Sequence, residues 1–144
     1  MPTSQDYSKR IVRSLRQLTQ YLERHSRMLF EHQGVTVPQI MCLDNLIENG
    51  VMTMAVLATN IHVSPSTMAG IVDRLEKKKL VIRKRDTKDR RVIFVDITDS
   101  GRKFIKATPH LLHNRLHDTL NNLKQSEQIQ IANSMEMLVN LLQK

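Results

Sequence analysis

Helical periodicity runs along most of this chain and is interrupted once, between residues 81 and 97. Residues 81–85 and 92–97 are β-branched, aromatic or alternating, which is typical of strands, and polar residues between them supply a turn. Four glycines, four prolines and five aromatic residues leave little for a β-sandwich or a glycine-rich nucleotide fold. The sequence therefore predicts a mainly α-helical fold of six helices with one small β-hairpin of two or three strands.

The length of 144 residues fits one compact domain, or a small domain carrying extra helices for a partner to cover. No stretch reaches the roughly 20 apolar residues of a membrane span, and the first six residues lack the apolar core of a secretory signal. A single cysteine cannot form an internal disulfide. We therefore expect a cytoplasmic protein with no membrane partner.

Positive charge is concentrated in one eighth of the chain. Residues 74–91 hold ten basic and three acidic side chains, whereas the rest of the chain holds 12 basic and 11 acidic ones. A solvated charged face is the ordinary explanation of such a run, but it does not account for this concentration. A local positive field attracts polyanions, so nucleic acid is the leading partner. An anionic membrane is weaker, because no basic amphipathic helix carries a matching apolar face.

The first predicted helix, from residue 7 to about residue 29, carries one narrow apolar stripe. Its members are Ile11, Leu15, Leu18, Leu22 and Leu29, with His25 between the last two. A stripe this long exceeds what one small domain covers. It therefore indicates packing against a partner helix, against the chain's own C-terminal helices, or both.

Two short helices follow. Thr36 is expected to cap the second helix and Gly50 to end it. Its inner face is assigned to Ile40, Leu43 and Ile47. Thr53 is expected to cap a third helix that ends near Asn60 and leads into a tight turn at residues 61–63.

The fourth helix has two contrasting faces. Ser64 as N-cap and Pro65 as first helical residue predict its start. Its apolar face comprises Met68, Ile71, Val72 and Leu75. Its other face carries Ser66, Thr67, Gly70 and Arg74, which are poor core material. This composition is typical of a helix whose outer face enters a groove.

A short helix, a tight turn, a polar-faced helix and a basic hairpin, in this order, make a winged helix-turn-helix. The second helix of such a pair fits the DNA major groove, and the hairpin tip reaches the adjacent minor groove, where the potential favours arginine. The spacing of Asp89 and Arg91 allows the carboxylate to hold that arginine extended across the turn.

The C-terminal part is predicted to form two more helices. Residues 98–101 start a fifth helix, which Pro109 kinks and which carries a leucine stripe from Leu112 to Leu123. Ser126 is expected to cap the sixth helix. The predicted domains are an N-terminal helix at 1–35, a winged helix-turn-helix DNA-binding domain at 36–98 and C-terminal helices at 99–144.

Residues 36–101 resemble the MarR family of bacterial winged-helix regulators. The resemblance is carried by residues 53–58 (TMAVLA), 64–67 (SPST), 72–78 (VDRLEKK), 83–91 (RKRDTKDRR) and 97–101 (ITDSG). The family's Asp-x-Arg wing motif falls on Asp89 and Arg91. Lys79 departs from the pattern, since the family usually has a glycine at the end of the recognition helix. A further likeness, to a branch that regulates osmolyte genes, rests on residues 36–39, 109–112 and 127–128.

The resemblance implies an obligate homodimer, with residues 1–35 and 99–144 as its dimerisation helices, that binds a palindromic operator and releases DNA under the control of a small effector. No cofactor or catalytic activity is expected. We expect Ser66 and Thr67 to touch base edges, and Arg91, braced by Asp89, to enter the minor groove. The whole predicted DNA-binding set is Ser64, Pro65, Ser66, Thr67, Gly70, Arg74, Arg85, Lys88, Asp89, Arg90 and Arg91, with Arg74, Lys88 and Arg90 on phosphates. A repressor is expected rather than an activator.

Three alternatives stay open at this stage. His110, His113 and His117 share one helical face and could bind a metal, although three ligands on one straight helix rarely reach one ion. Cys42 lies off the main apolar stripe of the second helix, which permits a redox role or an inert, half-buried thiol. A winged helix that binds only protein is the third, but such modules usually have a neutral or acidic wing. No enzyme motif is present.

Overall fold

The computed structural model describes residue 1, residues 3–108 and residues 112–143, without the side chains of residues 112–115. It divides into two compact units between residues 108 and 109. The first unit contains α1 (Ser4–Gln33), α2 (Val37–Asn49), β1 (Met52–Thr53), α3 (Met54–Asn60), α4 (Pro65–Lys77), β2 (Val81–Arg85), β3 (Ile93–Ile97) and α5 (Asp99–Ala107). The second contains α6 (Leu112–Asn121) and α7 (Gln125–Leu142). The predicted domain boundaries at residues 35 and 98 stay predictions.

The mainly α-helical class with a small antiparallel sheet is confirmed, with seven helices in the described residues where six were predicted. The difference lies at Pro109, where one kinked helix was expected. α5 ends at Ala107, and Thr108 is extended with ψ 123°. A proline disfavours helical backbone in the residue before it, which explains why the helix ends there.

Hydroxyl caps start four of the helices. Thr36, Thr53, Ser64 and Thr98 each accept a hydrogen bond from the backbone N–H three residues further on. Each cap satisfies one of the N–H groups that a helix N-terminus leaves without a partner. The predicted starts of α2, α3, α4 and α5 are therefore confirmed.

The core lies where α2, α3, α4 and the sheet meet. The predicted inner face of α4 is confirmed, since Met68, Ile71, Val72 and Leu75 are all buried. On α2 the prediction for Ile47 is wrong: it is 37% exposed, whereas Leu46 is completely buried. Ile47 lies only about 40° from Leu43 around the helix, so helix periodicity alone does not decide its burial, and the neighbouring elements do.

The sheet has the strand order β1-β3-β2 and is antiparallel throughout. The hairpin of β2 and β3 pairs Val81 with Ile97 at its base and Arg85 with Ile93 at its outer end. Backbone bonds of 3.0 Å from Asp86 N–H to the Val92 carbonyl, and from Val92 N–H to the Asp89 carbonyl, close the tip. The predicted hairpin is confirmed, with its second strand beginning one residue late.

A left-handed residue ends α4. Lys79 has φ 60°; its N–H donates to the Glu76 carbonyl and the next N–H, of Leu80, donates to the Leu75 carbonyl. This bonding pattern usually places glycine at the left-handed position, because a Cβ is costly there. The departure from the family pattern therefore falls on a residue that adopts the backbone conformation of a glycine.

Gly101, in the first turn of α5, is required by packing. A Cβ at this position would lie 2.3 Å from the Leu80 carbonyl oxygen and 2.7 Å from a side-chain carbon of Ile97. The same Leu80 carbonyl accepts the N–H of Thr98 at 3.0 Å. The missing side chain thus lets α5 pack directly on the chain that joins α4 to β2.

In the second unit, the prediction that Ser126 caps the last helix is wrong. α7 begins at Gln125, and the Lys124 N–H donates to the Glu127 carboxylate at 3.0 Å. The Gln128 side chain donates to the carbonyls of Leu120 and Leu123, which ties the end of α6 to the start of α7. The side chains of Glu127 and Gln128 thus accept and donate the hydrogen bonds that stabilise this turn, and Ser126 is not needed as a cap.

The 30 residues of α1 make a helix about 45 Å long. Gly34, with φ 67°, ends it, and near this end Leu29 is buried. Further toward its N-terminus, Ile11, Leu18 and Leu22 of the predicted stripe are exposed in the single chain. Among the described residues, no helix combines the length and apolar character that crossing a membrane requires.

Candidate nucleic-acid interface

Three exposed hydroxyl groups occupy the N-terminus of α4. The Ser64 Oγ accepts the Thr67 N–H at 3.1 Å, and it lies 2.8 Å from Thr67 Oγ1 and 3.1 Å from Ser66 Oγ. The cap therefore fixes the first turn and holds its hydroxyls together. Pro65, in the first turn, is also exposed and has no N–H that would need a partner. This end of α4 presents oriented donors and acceptors to the solvent.

The outer face of α4 continues through Gly70 and Arg74. Nothing lies within 4 Å of the Cβ that a side chain at Gly70 would add, so packing within the chain does not require glycine there. Arg74 is exposed on the same face. The face is low and open at its middle and basic toward its C-terminal end.

The hairpin tip carries the second group of candidate residues. The Asp89 carboxylate accepts from the Arg91 N–H at 3.0 Å and forms an ion pair with Arg91 Nε at 3.2 Å. Arg91 itself is 92% exposed. The structure thus contains the brace that the spacing indicated. The neighbouring basic residues Arg85, Lys88 and Arg90 are also exposed.

Not every basic residue of the cluster is available to a partner. Arg83 of β2 forms ion pairs with Asp73 at 2.7 Å and with Glu76 at 2.9 Å, both on α4. Its hydrogen bonds lower the pKa of Glu76 and in turn raise the pKa of Arg83. Sequence reasoning counted Arg83 as surplus charge. The signal that could have corrected it is the pair of acids three residues apart on the helix that precedes the strand.

Lys78, at the end of α4, is also engaged. Its Nζ donates to the carbonyl of Gly34, which ends α1. A cation is favourable at a helix C-terminus, where several carbonyls lack partners. Lys78 therefore joins α4 to α1 in addition to adding charge.

The structure bears differently on the two sensing alternatives. Cys42 is completely buried in the core rather than off the inner face, and burial raises the pKa of its thiol to about 12. His110 and the side chain of His113 lie outside the described residues. His117 is exposed and bonds to Asn121 at 3.1 Å. No group of three metal-ligating side chains occurs in the described parts of the chain.

A short helix, a tight turn, a second helix and a three-stranded hairpin sheet define a winged helix-turn-helix protein. Residues 35–93 match the model of the MarR family. The chain is 30% identical to the YusO protein of Bacillus subtilis, whose crystal structure it matches over 96% of its own length and 98% of that chain with a TM-score of 0.60. The chain belongs to the MarR family.

The chain is also similar to a curated transcriptional repressor and to a regulator solved in complex with DNA. The HTH-type transcriptional repressor MdtR of Bacillus subtilis is 39% identical over 88 residues, 61% of this chain and 57% of that protein. The chain thus spans less than two thirds of the length of the curated relatives it matches first. Sco3205, a MarR family transcriptional regulator from Streptomyces coelicolor solved in complex with DNA, has a TM-score of 0.80 over 100% of this chain and 91% of that one, at 24% identity. This last likeness shows the fold.

Proposed function

We propose that this protein is a DNA-binding transcriptional regulator, a repressor without catalytic activity that acts in the cytoplasm as a homodimer on a palindromic operator. One observation carries the proposal: a helix with an open polar outer face is followed by a hairpin whose exposed tip arginine is braced by a carboxylate. The names of two relatives support it, since MdtR is a transcriptional repressor and Sco3205 was solved with DNA.

The proposed contacts follow the geometry of each element. α4 enters the major groove, where Ser66 and Thr67 meet base edges and Gly70 allows a close approach. Ser64 and Pro65 hold its first turn against the DNA backbone. The hairpin tip enters the minor groove with Arg91, which Asp89 holds extended. The remaining proposed residues bind phosphates: Arg74, Arg85, Lys88 and Arg90.

The homodimer is proposed from the exposed stripe of α1. Ile11, Leu18 and Leu22 lie on one face and are exposed in the single chain, and burying such a face is the main driving force of association. A dimer sets its two α4 helices in successive major grooves, about 10 base pairs apart. Leu18→Glu should therefore yield monomers in sedimentation velocity and lose operator binding.

The proposal includes control by a small effector, which the family resemblance implies. Footprinting the protein on the DNA upstream of its own gene, with and without candidate effectors, tests both parts. A protected palindrome is the expected result, and log affinity should fall with log salt by about 0.9 per phosphate contact. A flat salt dependence, or binding to protein partners without any DNA protection, would contradict the proposal.

A further inference from the structure

We propose that Arg83 is a positioning residue: it sets the hairpin against α4 and is required for DNA binding without touching DNA. The inference rests on the proposed function. It concerns a residue that the charge pattern groups with the phosphate-binding cations.

Arg83 reaches α4 through both ends of its guanidinium group. Nη1 lies 2.7 Å from Asp73 Oδ1, Nη2 lies 2.9 Å from Glu76 Oε1, and Nε lies 3.3 Å from Glu76 Oε2. The backbone N–H of Arg83 also donates to Glu76 Oε2 at 3.2 Å. A planar guanidinium presents its donors in a fixed fork, so these bonds constrain direction as well as distance.

The position of Arg83 along the hairpin gives the contact its importance. At the base of the hairpin, Val81 and Ile97 are buried in the core. Beyond Arg83, residues 84–91 are exposed or half-buried. In the part of the chain that the structure describes, the ion pairs between α4 and the hairpin are those that Arg83 makes. These ion pairs therefore lie between the buried base of the hairpin and its largely exposed outer part, residues 84–91, which is called the arm below.

Two elements that contact one DNA duplex at the same time must be held at a fixed distance from each other. In the proposed complex α4 lies in the major groove and the hairpin tip in the adjacent minor groove. A hairpin free to swing would have to be ordered when DNA binds, which lowers affinity. Arg83 holds the arm in the free protein, while its charge is balanced by Asp73 and Glu76. Its effect on DNA binding therefore differs from that of a phosphate-binding cation.

The salt dependence of operator binding separates the two roles. Arg83→Gln should weaken binding about tenfold, the order of one lost wing contact, with the salt slope of the unsubstituted protein. Arg85→Gln, two residues further along β2, should lower the slope by about 0.9. Arg24→Gln, at an exposed position of α1, is the control for the loss of an arginine and should leave both the affinity and the salt slope unchanged. A slope lowered as in Arg85→Gln, or unchanged affinity, would overturn the positioning role.

The acidic partners give a test of opposite sign. Removing a negative charge near DNA should strengthen binding if only charge matters. Because Glu76 and Asp73 hold Arg83, Glu76→Gln and Asp73→Asn should instead weaken it, and Glu76→Gln combined with Arg83→Gln should add little to either alone. Glu48→Gln, on the exposed end of α2, should leave affinity unchanged. Tighter binding by Glu76→Gln would overturn the inference.

Hydroxyl-radical footprints distinguish a failure of this inference from a failure of the proposed function. If the unsubstituted protein protects no DNA, the proposed function fails and the inference fails with it. If it protects DNA and Arg83→Gln keeps the flanking minor-groove protection, the positioning role alone fails. Arg83→Lys keeps the positive charge without the guanidinium fork, so its operator affinity should lie between those of the unsubstituted protein and Arg83→Gln. Circular dichroism checks that all three proteins are folded.

Discussion

One carboxylate holds Arg91 at three points: Asp89 Oδ1 lies 3.0 Å from the backbone nitrogen of Arg91 and 3.2 Å from its Nε, and Oδ2 lies 3.5 Å from its Nη2. The side chain of Arg91 is nevertheless 92% exposed. A long side chain at a surface ordinarily samples several rotamers, and fixing them on binding costs free energy. Asp89 restrains that freedom before any partner arrives, at the outermost part of the hairpin.

Replacing Arg91 should therefore damage DNA binding selectively. Arg91→Ala is expected to lose on the order of 1–3 kcal/mol of binding free energy in a titration with operator DNA, because one minor-groove contact disappears. Sedimentation velocity and thermal unfolding should match the unsubstituted protein, since the Arg91 side chain is almost fully exposed. Asp89→Asn should show a smaller loss. Normal operator affinity in Arg91→Ala would refute the wing assignment.

Gly70 offers a test in which stability and binding move in opposite directions. Gly70→Ala should raise the free energy of unfolding by up to about 1 kcal/mol, because alanine favours the helix and its Cβ meets nothing within 4 Å. The same methyl group would obstruct a close approach to DNA, so operator affinity should fall. Urea unfolding and operator titration measure the two effects.

The matched control for Gly70 is the other helical glycine of the first unit. Gly101→Ala should lower stability by about 1–3 kcal/mol, since its Cβ would lie 2.3 Å from a backbone oxygen. If Gly70→Ala bound DNA as tightly as the unsubstituted protein, the outer face of α4 would not lie against the duplex.

Replacing Lys79 with glycine should stabilise the protein. Its φ of 60° is costly for a residue with a Cβ, so Lys79→Gly is expected to raise the free energy of unfolding by about 1 kcal/mol. Lys77→Gly removes the same charge from the last residue of α4 in ordinary helical conformation, and should lower it. Urea denaturation compares the two variants. Equal effects would show that the backbone at residue 79 carries no strain.

Local chemistry explains why so much of the fold was predictable. A hydroxyl cap acts within three residues, so Ser64 followed by Pro65, or Thr98 ahead of Gly101, indicates a helix start without reference to the rest of the chain. The four apolar residues on one side of α4 and the turn residues around Asp89 are equally local signals. The candidate DNA-binding residues came from these elements, and their contacts with DNA stay predictions.

The errors involve what a segment packs against. Ile47 and Leu46 are equally apolar, and the position of α4 and the sheet decides which is buried. Cys42 was misplaced for the same reason. Arg83 has the sequence signature of a surface cation; Asp73 and Glu76 on the preceding helix offer it partners, but the angle between α4 and β2 decides that they pair. Such information lies in tertiary contacts, which periodicity along one segment does not contain.

The buried thiol of Cys42 predicts resistance to oxidants. The thiolate is the reactive form, and burial raises the pKa of Cys42 to about 12, so almost none is present at pH 8. A thiol-reactive dye should label the native protein negligibly at pH 8 and label one group per chain in urea. Operator affinity should be unchanged by peroxide. Rapid labelling of the folded protein would restore the redox alternative.

Acid should weaken the contact between Glu76 and Arg83. Hydrogen bonds from Arg83 hold the pKa of Glu76 below its ordinary value of 4.5, against the opposing effect of desolvation. A carboxyl group whose pKa is lowered by folding stabilises the native state above its unfolded pKa, and that contribution disappears as the pH falls through the lower folded value. The stability difference between the unsubstituted protein and Glu76→Gln should therefore be present at pH 7 and shrink progressively below pH 4.5. Because the carboxylate is partly exposed, the effect should be small and should weaken in high salt.

Urea unfolding across this pH range measures this stability difference, and Arg83→Gln should remove the same pH dependence because it removes the cause of the pKa shift. A difference that stays constant from pH 7 to the acid limit of folding would mean that Arg83 does not stabilise the Glu76 carboxylate in solution.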